Sequence, residues 1–298
     1  MTVVAKTITS GKFVDFSDNT PDGYPASFFD EVKTRGFDGV ALNVYSQHVK
    51  ADAGLALERQ LMVVLYQGYY EPAWRVATSA SARANEMVAV AKDIGYPEEC
   101  VLFLDAENML ETDGTTLLSA SSMIPWLNDW DEAVYAAGFH EIGKYVGVNC
   151  PLTGEQWYAD LPRTTHYWKS ASSVPDVAVR GYQMVQTAVN QSIAGYPVDF
   201  DTIQVDEKGG TVVGMASQIE VKPVVEPTPT LHIPPESTGS QNGGASPKRI
   251  YEVVWNTDLS LEMLAQNYGT SVSNILSFNG LQNAGKLFNG LVVRVPVY

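Results

Sequence analysis

The sequence predicts an α/β protein, a (β/α)-barrel of the β5α5β3 type followed by a small βααβ module. Three observations carry that prediction. Short apolar runs alternate with helix-period segments up to residue 150. Three further strand-like runs then follow with little room for helices between them. Finally, a proline-rich stretch sets a fifty-residue tail apart.

The apolar runs are "KFVDFS", "GVALNVY", "LMVVLYQ", "CVLFLDAE" and "KYVGVN". Between them lie the amphipathic segments "ASFFDEVKTRGF", "VKADAGLALERQ", "SASARANEMVAVAKDIG" and "IPWLNDWDEAVYAAGF". Apolar runs of strand length separated by 3.6-period segments mark βαβ units and a parallel sheet. After residue 150, "THYWKSA", "VRGYQMVQ" and "VDFDTIQV" follow at about sixteen-residue spacing. Five βα units and three more strands make eight, enough to close a barrel. Polar and aromatic residues gather at the C-terminal ends of these runs: Asp15, Tyr45, Tyr66 with Gln67, Asp105 with Glu107, Asn149, Trp168, Gln183 and Asp199. In parallel α/β folds that end is the active-site face.

From Val221 to Lys248, six of the protein's 16 prolines fall in one stretch that ends Gly/Ser-rich, the composition of an interdomain linker. The expected division is therefore a barrel over 1–220, a linker over 221–248 and a module over 249–298. The module reads strand, helix, helix, strand, near the lower size limit for folding alone.

Composition excludes several classes of function. The formal net charge is −15, which opposes a nucleic-acid or anionic-membrane surface. From Arg249 onward three basic residues balance three acidic ones, so all of that charge lies ahead of the tail. No stretch approaches the ~20 apolar residues of a membrane span, and "MTVVAKTITSGKF" holds no signal-peptide core. A monomer made in the cytosol is expected, without membrane insertion. Two cysteines, Cys100 and Cys150, fall at opposite strand ends, ~16 Å apart, and are expected as thiols rather than a disulfide. The four histidines, His48, His140, His166 and His232, lack metal-ligand spacing. No metal or other cofactor is expected. A Cys150–His166 peptidase pair is disfavoured because Cys150 precedes Pro151 and no oxyanion-hole segment is evident.

In "LFLDAE" the two-residue period of a strand puts Asp105 and Glu107 on one face, aimed into the mouth if Leu104 faces the helices. "FVDFS" delivers Asp15 at the end of strand one, and "YPVDFD" delivers Asp199 and Asp201 around strand eight. Carboxylates converging on one cavity raise each other's pKa values, which suits a general acid working near neutral pH.

On these motifs the first ~210 residues resemble the family 25 glycoside hydrolases, the muramidases of the Chalaropsis lysozyme type. The family's "DxS" element is matched by Asp15-Phe16-Ser17, its "DxE" by Asp105-Ala106-Glu107, its strand-six Trp by Trp168, and its "VD" by Val198-Asp199. Its Trp-Gln pair is matched by Tyr182-Gln183, with Tyr in place of Trp. The stretch "AKDIGYPEECVLFLDAE" also resembles a sister group of glycoside-hydrolase-like domains of undefined activity. The resemblance implies cleavage of the β-1,4 bond between N-acetylmuramic acid and N-acetylglucosamine. Glu107, Asp105, Asp15 and Asp199 are then the expected catalytic set, with Glu107 as general acid and Asp105 steering the substrate's 2-acetamido group. Tyr66, Trp168, Tyr182, Gln183 and Asp201 are the expected substrate contacts.

The tail "YEVVWNTDLSLEMLAQNYGTSVSNILSFNGL", closed by "GLVVRVP", resembles a LysM module. That resemblance implies binding of N-acetylglucosamine-containing glycans through Thr257, Asp258, Leu259, Ile275, Asn279 and Leu281, with Ile275 equally readable as core. A wall-degrading enzyme with no export signal resembles a phage endolysin, brought to the bacterial wall by a separate pore. The alternatives are a catalytically inactive wall-binding barrel and an amidase or peptidase acting on the stem peptide.

Overall fold

The computed structural model describes residues 2–16, 22–68, 79–218, 249–254, 261–281 and 292–297. The chain divides into two compact units, Met1–Pro223 and Val224–Tyr298. The expected linker lies outside the described residues.

The first unit opens with β1 (Thr2–Ile8). It continues through β2 (Gly11–Phe16), α1 (Ala26–Thr34), β3 (Gly39–Asn43), α2 (Val49–Glu58), β4 (Met62–Gln67) and α3 (Ala80–Ile94). Next come β5 (Leu102–Asp105), α4 (Ala120–Ala136), β6 (Ile142–Val146), α5 (Gly154–Ala159) and β7 (His166–Lys169). It closes with β8 (Met184–Ile193), β9 (Tyr196–Ile203) and β10 (Val212–Gln218). Strands β2 to β9 form a closed eight-stranded barrel in the order β2-β3-β4-β5-β6-β7-β8-β9, with β9 returning to β2.

Neighbours from β2 to β8 run parallel, whereas β9 is antiparallel to both β8 and β2. This corrects one expectation. Asp199 stands in the first half of its strand, not at the C-terminal end. It still reaches the mouth, because a reversed strand brings its N-terminal half there.

The pleat sorts each strand into two cores. Phe13, Ala41, Val64, Phe103, Met184 and Ile203 point into the barrel. Val14, Val40, Val63, Leu104 and Ile142 point outward against the helices. Gly143 makes room for the inward ring of Phe103, which a Cβ there would overlap. Lys144 points outward and is fully buried beneath α4, paired with Asp131; Thr164 Oγ1 donates to the same carboxylate at 2.7 Å.

The antiparallel pair formed by β1 and β10, from the two ends of the unit, was not visible in the sequence. β10 wedges between the N-terminal ends of β4 and β5, pairing Met215 with Val63 and accepting the Val101 N–H on Val213 O at 2.9 Å. β1 is mostly exposed and shows no apolar run, so it carried no strand signal.

In the second unit β11 (Arg249–Val254) pairs antiparallel with β12 (Val292–Val297), and α6 (Leu261–Asn267) and α7 (Val272–Phe278) lie between them in sequence. Leu261, Leu264, Ala265, Ile275, Val293 and Val295 form its core.

Candidate active site

Asp15, Asp105, Glu107 and Asp199 line one cavity of about 90 Å³ at the barrel mouth, together with Tyr66, Tyr145, Trp168 and Gln186. Strand pleating puts them there. Phe13 and Asp15 share the inward face of β2, and Phe103 and Asp105 share that of β5 with Leu104 turned to the helices.

Two local contacts fix the acidic turn after β5. Asp105 Oδ1 accepts the Glu107 N–H at 3.0 Å, and Glu107 Oε2 accepts the Val148 N–H at 3.2 Å. The second contact needs Gly147, because a Cβ there would overlap the Glu107 carboxyl.

On the opposite wall Gln186 organises the acids. Its Nε2 donates to Asp15 Oδ2 at 3.1 Å and to Asp199 Oδ2 at 3.0 Å. Its Oε1 accepts from Tyr145 Oη at 3.2 Å and from the Ala171 N–H at 3.1 Å. Asp199 Oδ1 also accepts the Asn190 N–H at 2.7 Å. Among the described residues no Lys, Arg or His lines the cavity. Burial above all, then Asp199 and Glu107, outweigh the hydrogen bonds and raise Asp15 to about 6. Burial raises Asp199 as well, and burial followed by the surrounding carboxylates pushes the Tyr145 phenol up. The described lining is acidic, suited to holding protons and to stabilising positive charge on a bound ring.

Four expected contacts fall elsewhere or play another part. Tyr182 is buried, donating to Pro175 O at 2.5 Å, and precedes β8. Gln183, fully buried, binds the Tyr167 N–H, Thr165 O and Asp206 on the far side from the mouth. The glutamine that reaches the cavity is Gln186, three residues on. Its signal was a polar residue in phase with Met184 on the inward face of β8. Asp201, 1% exposed, lies beneath the cavity rather than in its lining. Trp168 lines the cavity floor but is 1% exposed, with Tyr66, Phe103 and Tyr145 packed edge-on around it at 5.5, 5.7 and 4.8 Å. It offers no open face to a sugar. Tyr66 is where it was expected, its hydroxyl donating to Phe16 O at 3.2 Å. Tyr145 was passed over because it sits mid-strand in "KYVGVN".

Tyr45 and Gln67 bond to one another at 2.9 Å in a network with Arg83, Glu86 and Trp130 and do not line the cavity. Asn149 bonds Asn108 at 2.7 Å. Both cysteines are free thiols, and Cys150 Sγ donates to Ala106 O at 2.9 Å. His166 is bonded to Thr211 O and Thr165 Oγ1. Among the described residues no cluster could hold a metal, and no helix is long and apolar enough to cross a membrane.

In the second unit Ile275 is fully buried and belongs to the core, which removes it from any groove. The Asn279 amide is spent on Ile275 O and on Arg294 O and N–H of β12. The Leu281 N–H bonds Leu276 O. Thr257, Asp258 and Leu259 lie outside the described residues.

The Rv2525c-like, glycoside hydrolase-like domain family matches residues 32–208, more than half of the chain and including Asp105, Glu107, Gln186 and Asp199. The chain belongs to that family. No curated protein matches it. Among solved structures, this Rv2525c-like domain is similar to the Tat-secreted protein Rv2525c of Mycobacterium tuberculosis, with 12% identity, 65% of this chain and 95% of that one covered, and a TM-score of 0.47. The bacterial lysozyme of Streptomyces coelicolor shows 16% identity, 68% and 93% coverage and a TM-score of 0.47. The modular autolysin LytC of Streptococcus pneumoniae shows 12%, 65%, 46% and 0.47.

Proposed function

We propose that this glycoside hydrolase-like domain is an active N-acetylmuramidase, cutting the β-1,4 bond between N-acetylmuramic acid and N-acetylglucosamine in bacterial peptidoglycan. The observation that carries the proposal is the convergence of Asp15, Asp105, Glu107 and Asp199 from three strands and one turn on a single cavity. Glu107 is the general acid that protonates the departing glycosidic oxygen, held for that task by Val148 N–H. Asp105 orients the substrate's 2-acetamido group, a substrate-assisted route outside the usual two-carboxylate scheme. Asp15 and Asp199, braced by Gln186, stabilise the positive charge that develops on the ring.

The second unit acts as a LysM-like glycan anchor, and the whole chain works as a monomeric endolysin that reaches the wall through a pore made by another protein. The tail's balance of charge supports that division of labour, since a barrel carrying all of the −15 is repelled by an anionic wall at low salt. An inactive wall-binding barrel is the second reading, favoured by a family that is described only as glycoside hydrolase-like. Mass spectrometry of digested peptidoglycan separates the two. New reducing sugar ends support the hydrolase, and unchanged glycan with measurable binding supports the alternative.

A further inference from the structure

Asp201 has no task in that scheme, yet it is the most deeply buried carboxyl around the cavity. Its Oδ1 accepts the Trp168 indole N–H at 2.8 Å. Its Oδ2 is buried and meets no donor among the described residues. Across the β2–β9 ladder Asp15 pairs with Asp199 and Phe13 with Asp201, so Asp201 is diagonal to Asp15 on the same inward face. The two carboxyls are in contact. A buried ionised oxygen without a donor is costly, and two touching carboxylates resist carrying two charges. One proton removes both difficulties.

We propose that Asp201 is held as a neutral carboxylic acid whose O–H donates to Asp15, making it a positioning residue for the carboxylate that lines the cavity. Burial first, and then the Asp15 charge, push Asp201 well above the usual carboxylate range. Asp15 takes the Gln186 N–H on one oxygen, faces the cavity and is raised only to about 6. Asp199 from β9 and Glu107 beyond β5 face the pair with further negative charge, while Tyr145, Trp168 and Gln186 from β6, β7 and β8 are uncharged. Among the described residues no cation lines the cavity to draw the proton off. The catalytic consequence rests on the hydrolase proposed above; the location of the proton does not.

The test is thermal unfolding of the full chain as wild type, Asp201→Asn and Asp201→Ala across about pH 4 to 7. A carboxyl whose folded pKa is raised stabilises the fold below its unfolded pKa and loses that contribution as pH rises. Asparagine supplies an N–H to Asp15 and an oxygen to Trp168 at every pH. The midpoint of Asp201→Asn minus that of wild type should therefore climb with pH. Asp201→Ala should unfold at a lower temperature than Asp201→Asn throughout. Hydrolysis should follow the same split, falling about tenfold in Asp201→Ala and restored to near wild type in Asp201→Asn. A pH-flat difference, or an Asp201→Asn protein as damaged as Asp201→Ala or unfolded, overturns the proposal. A wild type without hydrolytic activity would count against the muramidase alone, since the midpoint series still decides where the proton sits.

Discussion

Asp15 and Asp199 stand opposite one another on the antiparallel β2–β9 ladder, and a single amide nitrogen, Gln186 Nε2, donates to both. Like charges in that relationship repel, and among the described residues no cation lines the cavity to offset them. The amide is what lets two acids share one wall.

Gln186→Leu removes both donors while keeping a side chain of similar size. Hydrogen bonds to an ionised carboxylate lower its pKa, so their loss should move the acid limb of the pH–activity profile to higher pH. Turnover at neutral pH should fall by roughly tenfold. A profile superimposable on wild type would mean that Gln186 does not govern these acids.

Asp15→Asn should stabilise the barrel at neutral pH while lowering activity. Burial raises the Asp15 carboxyl to about 6. The Asp15 contribution to stability is thus fully present below the unfolded carboxylate pKa and is lost as pH rises through about 6, where the charged form must be accommodated. The asparagine variant lacks that decline, a gain on the order of 2 kcal/mol at pH 7 that fades towards pH 4. Denaturant unfolding at both pH values measures it.

Gly147→Ala tests how closely the Glu107 carboxyl must approach its neighbours. A Cβ at 147 would occupy the place of Glu107 Oε2, forcing the carboxyl off the Val148 N–H. Misplacement on the 1 Å scale costs on the order of 10²-fold in rate. Turnover should drop by about that much with the circular dichroism spectrum unchanged.

The barrel was legible because its inward and outward residues obey period two along β2 to β7, and its helices obey the 3.6-residue period. The four acids were legible for the same reason, each falling in phase with an inward apolar neighbour, as Asp15 does with Phe13. Gln186 was missed because the pair Tyr182-Gln183 offered a nearer match, and only the strand's phase from Met184 tells the two glutamines apart. The buried proton at Asp201 could not be read at all. It depends on the reversed direction of β9 and on a diagonal contact between distant segments. The β1–β10 pair escaped because its partners lie at opposite ends of the unit's sequence and β1, at the sheet edge, is mostly exposed.

Truncation at about Val221 should spare cleavage of small soluble glycan fragments and slow lysis of intact walls. A tether contributes local concentration only at an insoluble substrate. The loss should be greatest at low salt, where repulsion of the acidic barrel is least screened. Turbidity clearing by the two proteins at low enzyme concentration measures it, and equal clearing would remove the anchor from the account.

The muramidase claim is tested most directly by reducing-end analysis of purified peptidoglycan digested in parallel by wild type and Glu107→Gln. Wild type should release fragments ending in reducing N-acetylmuramic acid. The folded Glu107→Gln protein should release them at least about 10²-fold more slowly, the usual scale for losing a general acid. Fragments produced at equal rates by both proteins, or a wild-type digest with no new reducing ends, would contradict it.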